Sequence, residues 1–135
     1  MFRRIRKLIS SSQIDVKWSN YYSSPKIGET MDSVRKRLIV ALDFPSVQDA
    51  ENLISDLGKE IIFYKIGLEL LYVGGNVLAS RLVKEGKSVF FDAKLLDIGN
   101  TVEASTRQIA QLGATFLTVH GTDRKTMQAA VRGRG

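Results

Sequence analysis

Six ionisable side chains stand at or just beyond the ends of short apolar runs: Asp43 after LIVAL, Lys65 within IIFYKIG, Asp92 and Lys94 closing SVFFDAK, Asp97 shortly after them, and His120 after TFLTV. Asp92 and Lys94 are two apart, and residues two apart on an extended segment face the same side. A carboxylate and an ammonium paired there in a partly desolvated site suit proton transfer and the holding of charge. Asp97 follows on the next loop, completing the pattern Asp92-x-Lys94-x-x-Asp97. Each isolated residue has a plainer reading: Asp43 as a turn or cap, His120 as a hydrogen-bonded core histidine, Lys65 as a snorkelling surface lysine. The Asp92/Lys94 pair resists such a reading, and its placement points to catalysis.

The elements that must position these groups follow from hydrophobic period. The runs 38–43, 61–67, 88–93 and 115–120 are too short and too continuously apolar for amphipathic helices, and read as buried parallel strands. Helical segments separate them: 47–57 with Val47, Ala50, Leu53, Ile54 and Leu57 on one face, 76–85 with Val77, Leu78 and Leu82, and 101–112 with Val102, Ile109 and Leu112. A fourth begins near 123. Ser46 followed by Asp49, and Asn100 followed by Glu103, fit helix N-caps with an acidic residue three positions on. Gly58, Gly86 and Gly113 are placed to end the three complete helices.

Four β-α units in series imply α/β architecture with a parallel sheet covered by helices. ALDFPS follows the first strand where a dinucleotide fold needs G-x-G-x-x-G. In parallel α/β barrels the C-terminal strand ends form the active site, which is where the charges fall.

Composition narrows the classes. A chain of 135 residues, 44% hydrophobic, supports one modest core and is short of the roughly 250 residues of a complete eight-fold barrel. There is no cysteine and a single histidine, so thiolate and histidine-rich metal centres are not expected. No apolar run approaches the roughly 20 residues of a membrane span. The net charge of +6 resides in residues 1–37, which hold nine basic against three acidic side chains, while residues 38–135 balance eleven against eleven. That distribution argues against nucleic-acid binding by the domain itself. Residues 1–35 read as a basic, disordered extension. Their Arg-rich, acid-free opening resembles a transit peptide in composition; a solvated tail or a start at Met31 are the alternatives.

The segments LIVALDFPS, FYKIGLELLYVGG, VFFDAKLLDIGNTV and LGATFLTVH resemble, in order and spacing, the orotidine 5′-monophosphate decarboxylase family, over about residues 36–135. Agreement of four segments is more specific than Asp-x-Lys-x-x-Asp alone, which sister sugar-phosphate decarboxylases and aldolases share. Those relatives commonly carry an acidic residue where this chain has Lys65. Leu96, Gly99 and Gly121 depart from the usual His, Pro and Ala, and none is a charged position.

The resemblance implies a (β/α)8 TIM barrel of which this chain supplies the first four β-α units, and a cytoplasmic, cofactor-independent lyase of pyrimidine biosynthesis with no metal. It implies a small-molecule nucleotide substrate, orotidine 5′-monophosphate, converted to uridine 5′-monophosphate. Lys94 would stabilise the developing carbanion and donate the proton that replaces CO2, and Asp92 would sit near the departing carboxylate. An alternating series Lys65, Asp92, Lys94 and Asp97 would keep Lys94 protonated. Asp43 and Lys65 would bind the ribose, and His120 would line the substrate site. Asp97, Ile98 and Thr101 would cross the interface of a homodimer into the partner's site. Phosphate-binding residues would lie beyond Gly135, so this chain alone would have little activity and a tendency to associate through open sheet edges. Alternatives are a sister sugar-phosphate enzyme and a non-catalytic half-barrel.

Overall fold

The structure, a computed structural model, describes Ser33 and residues 35–135. The reading of residues 1–35 as a basic, disordered extension, with its transit-peptide and Met31-start alternatives, falls outside the described residues except at Ser33 and Arg35.

Four strands form one sheet, β1 (Val40–Leu42), β2 (Phe63–Gly67), β3 (Ser88–Leu95) and β4 (Phe116–Val119). Their order is β1-β2-β3-β4 and all three pairings are parallel. Helices α1 (Val47–Leu57), α2 (Asn76–Lys84), α3 (Gly99–Gln111) and α4 (Arg124–Arg134) alternate with them. This is the expected repeated β-α arrangement, and among the described residues β1 and β4 each lack a second neighbour.

Register explains why the two sheet faces differ. Paired residues on adjacent strands point the same way, so Leu42, Ile66, Phe91 and Leu117 form one row. That row faces the helices and packs with Tyr64, Val89, Ala50, Leu78, Ala79 and Leu82. Complete burial of such a side chain contributes about 1.5–3 kcal/mol. The opposite face carries the row Ala41, Lys65, Phe90 and Phe116. Here Phe116 meets Phe63 at a centroid distance of 5.6 Å and Phe90 edge-on at 6.0 Å, and Phe116 remains 54% exposed.

The start of α1 matches its sequence signal: Ser46 caps it, accepting from the Asp49 N–H at 3.2 Å while its hydroxyl donates to Asp49 Oδ2 at 2.6 Å. Asn100 does not cap α3. That helix begins at Gly99, with Ile98 at the cap position and no side-chain cap bond. Glu103 turns outward to Arg107 at 2.9 Å and to Arg132 of α4 at 2.8 Å, so the charge expected to cap a helix joins two helices instead. Between β2 and α2 the chain forms an unanticipated helical turn, Leu68–Leu70, and a π-type turn, Leu71–Gly75. Val77, assigned by period to the buried face of α2, is 71% exposed; Leu78, Ala79 and Leu82 form that face.

Gly58, Gly86 and Gly113 terminate α1, α2 and α3 with φ of 57°, 77° and 87°. A Cβ on Gly113 would lie 2.7 Å from Val83 Cγ1, whereas one on Gly58 would meet nothing within 4 Å. Gly58→Ala is therefore expected to cost about 1–3 kcal/mol, because its φ of 57° with ψ of −139° is a backbone conformation that residues with a Cβ rarely adopt. Gly113→Ala adds overpacking of about 1–3 kcal/mol. Urea denaturation of both variants checks this, and equal costs would show that the contact with Val83 relaxes freely.

Candidate active site

The charged residues converge where the parallel strands end. Asp43 follows β1, Lys65 lies within β2, and Asp92 and Lys94 lie in the last half of β3. Gly67 pairs with Asp92 and Lys65 with Phe90, so Lys65 sits one layer deeper in the sheet and its side chain reaches up toward the carboxylates. Lys65 Nζ lies 3.3 Å from Asp43 Oδ1 and 3.5 Å from Asp92 Oδ2. Lys94 Nζ donates to the same Asp92 Oδ2 at 2.7 Å. A Cβ on Gly67 would fall 3.1 Å from Asp43 Oδ1, so the missing side chain leaves the room Asp43 occupies.

The strand is not regularly extended through the motif. Phe91 pairs with Leu117 and Leu95 with Val119, so β3 places more residues than β4 between the two pairings. Within this bulge Lys94 has φ of 46°, the left-handed region that a lysine rarely adopts. The Asp92–Lys94 pairing inferred from residue spacing therefore forms, but through a bulge and not through simple strand alternation. Such bulges occur next to active sites, where they re-aim a side chain.

Thr118 of β4, a residue that motif reasoning missed, faces the bulge. Its Oγ1 donates to Asp92 Oδ1 at 2.9 Å and accepts from the Lys94 backbone N–H at 2.9 Å. The only sequence cue was a hydroxyl two positions before His120 on the neighbouring strand. Its partners depend on register, which the sequence does not display.

The remaining candidates lie at the rim. Asp97 Oδ1 accepts from the Ile98 N–H at 2.7 Å and makes no ion pair with Lys94 of its own chain, so within one chain the contacts run Lys65–Asp92–Lys94. Asp97, Ile98 and Thr101 are exposed, with Ile98 at 74%. His120 is also exposed, contrary to a core histidine, and its backbone N–H donates to Leu95 O at 2.9 Å. Among the described residues, no three His, Asp or Glu side chains converge as a metal-ligand set. No helix among them is long and apolar enough to cross a membrane.

Asp92 is the electrostatic centre, with only 14% of its side chain exposed. Burial pushes its pKa up. Hydrogen bonds from Lys94 and Thr118, with the charges of Lys94 and Lys65, outweigh burial and hold the carboxyl below its ordinary value of 3.8. Lys94, by contrast, is 53% exposed, leaving its ammonium reachable from the open side of the sheet. The arrangement is a desolvated carboxylate fixing an accessible ammonium.

Parallel strands in sequential order, alternating helices and charges at the C-terminal strand ends are the arrangement of a segment of a (β/α)8 TIM barrel. The family model for the Orotidine 5'-phosphate decarboxylase / HUMPS family matches residues 36–135, and the chain belongs to that family. It is 62% identical over 97 residues to an orotidine 5'-phosphate decarboxylase of Bradyrhizobium sp. (strain ORS 278), covering 72% of this chain and 40% of the relative. It is 58% identical over 101 residues to one of Methylorubrum extorquens (strain PA1), covering 75% and 43%. The crystal structure of orotidine 5'-phosphate decarboxylase from Lactobacillus acidophilus superposes with a TM-score of 0.66 at 35% identity, over 71% of this chain and 44% of that one. The chain thus spans about two fifths of the length of the curated relatives it matches.

A carboxyl whose folded pKa is depressed stabilises the fold above its unfolded pKa, and that stability is lost as pH falls through the folded value. Wild type is expected to lose a component of stability below about pH 4 that Asp92→Asn lacks. Denaturant midpoints measured from pH 6 downward would show it. Parallel profiles for the two proteins would mean that the partners of Asp92 do not hold it ionised.

Proposed function

We propose that this chain contributes the N-terminal half of the active site of an orotidine 5′-monophosphate decarboxylase. The observation that carries the reading is the continuous chain of contacts Asp43–Lys65–Asp92–Lys94, which fixes two ammonium groups and two carboxylates before any substrate arrives. Decarboxylation of a pyrimidine carboxylate breaks the bond from ring carbon to CO2 and leaves the electron pair on that carbon. Fixed charge can stabilise that carbanion without being reorganised during the reaction. Lys94 would hold it and then transfer a proton from Nζ to the same carbon, giving uridine 5′-monophosphate, and would regain a proton from solvent. Asp92 would lie beside the departing carboxylate and fix the Lys94 ammonium.

Asp43 and Lys65 would hydrogen-bond the ribose and His120 would line the substrate site. Asp97, Ile98 and Thr101 would enter the partner's site in a homodimer. Their exposure supports this, as does the absence of an in-chain ion pair for Asp97 among the described residues. Remote phosphate contacts, which assemble such a site around its transition state, would come from the part of the family's barrel that this chain does not span.

Turnover is checked by the ultraviolet absorbance change on mixing the chain with orotidine 5′-monophosphate. Activity is expected to fall about 10²–10⁴-fold in Lys94→Ala, the range for loss of a general acid. Silence from this chain with turnover from a version extended to the relatives' full length would assign the requirement to the remaining half. Silence from both, with magnesium-dependent turnover of a sugar phosphate, would favour the sister enzymes.

For the homodimer, sedimentation is expected to give about twice the 15.0 kDa chain mass, and Ile98→Asp to give monomer. A monomeric wild type would remove the shared-site arrangement.

A further inference from the structure

The bulge in β3 raises the question of what holds Lys94 at a φ of 46°. A strained backbone conformation persists where its surroundings over-determine it. Lys94 is gripped at both ends. Its ammonium donates to Asp92 Oδ2 at 2.7 Å, and its backbone N–H donates to Thr118 Oγ1 at 2.9 Å. The Thr118 hydroxyl closes the circuit by donating to Asp92 Oδ1 at 2.9 Å. The directions are forced. A backbone N–H can only donate, so Thr118 must accept from it, and its single proton is then free for the carboxylate.

The ladder geometry explains why a side chain does this work. Regular pairing between β3 and β4 stops after Phe91–Leu117 and resumes at Leu95–Val119, with His120 N–H donating to Leu95 O at 2.9 Å. Across the gap, the hydroxyl takes the place of the ladder acceptor that the Lys94 N–H would otherwise find. It also occupies the Asp92 oxygen that the lysines leave open, so that Oδ1 is held by Thr118 while Oδ2 serves Lys94 and Lys65.

We propose that Thr118 is a positioning residue that pins the β3 bulge and, through it, sets where the Lys94 ammonium and the Asp92 carboxylate stand relative to one another. The kinetic part of this proposal rests on the decarboxylase reading above; the geometric part does not. Misplacement of a reacting group by about 1 Å costs on the order of 100-fold in rate, so a contact that never touches substrate can still govern turnover.

Thr118→Val and Thr118→Ser separate the hydroxyl from the branched shape. Valine keeps the volume and loses both hydrogen bonds, while serine keeps both and loses a methyl. The first readout is the titration of the Asp92 side-chain carboxyl by carbon-detected NMR in the full 135-residue chain, assigned with Asp92→Asn. Its midpoint is expected to rise in Thr118→Val and to stay at the wild-type value in Thr118→Ser. Wild-type behaviour in both variants, or equal shifts in both, would overturn the proposal.

Should Thr118→Val fail to fold, hydrogen exchange of the Lys94 amide in wild type decides the question. Protection supports the bond to Thr118, and exchange at the rate of a free amide overturns it. Where turnover is measurable, kcat is expected to fall about 10-fold or more in Thr118→Val with KM little changed, and to recover in Thr118→Ser. Absence of turnover both in this chain and in a version extended to the relatives' full length would count against the decarboxylase reading and leave the NMR result standing.

Discussion

The Asp92 carboxylate gathers donors from three strands: Lys65 of β2, Lys94 of β3 itself and Thr118 of β4. A carboxylate withdrawn from water is costly unless it is paired and hydrogen-bonded, and here each of its oxygens has a partner. The arrangement binds the sheet as well as the site. If β2 slipped by one residue against β3, Lys65 would turn to the helical face, since strand side chains alternate with period two. The ion pairs at the rim and the apolar row Leu42, Ile66, Phe91 and Leu117 beneath the helices thus demand the same register.

Parallel topology makes such a rim possible. Each strand enters from the same end, so Asp43, Lys65, Asp92 and Lys94 come together although helices α1 and α2 lie between them in sequence. The helices hold the strands at that spacing from the outer face. Local devices refine the rim: Gly67 leaves space for Asp43, and the bulge gives Lys94 a direction that an unbroken strand would not. Elsewhere, charge joins elements rather than serving chemistry, as where Glu103 of α3 receives Arg132 of α4 at 2.8 Å.

The other face of the sheet carries Phe63, Phe90 and Phe116 below the charged layer. In a barrel that face is the packed interior, filled by side chains from alternate strands. The half-exposed ring of Phe116 and, among the described residues, the open edges of β1 and β4 fit a unit whose relatives are more than twice as long as the stretch matched here.

How much was legible in the sequence depended on the range of the interaction concerned. The four strands, the four helices, the Ser46 cap and the three glycine stops were readable because period, capping and positive φ are local properties of a few neighbouring residues. Asp43, Lys65, Asp92 and Lys94 were recognisable as a group because strand ends in a parallel fold share one rim. The Asn100 cap failed because a capping signal competes with tertiary partners, and Glu103 found them in Arg107 and Arg132. Val77 was misassigned because a segment preceded α2 whose turns no short-range pattern announced. Tertiary structure alone decided the β3 bulge, the left-handed Lys94 and the contacts of Thr118 with Asp92 and the Lys94 backbone. Each of these depends on which residue of one strand stands beside which residue of another, a relation set by packing across the sheet and encoded in no single stretch of chain.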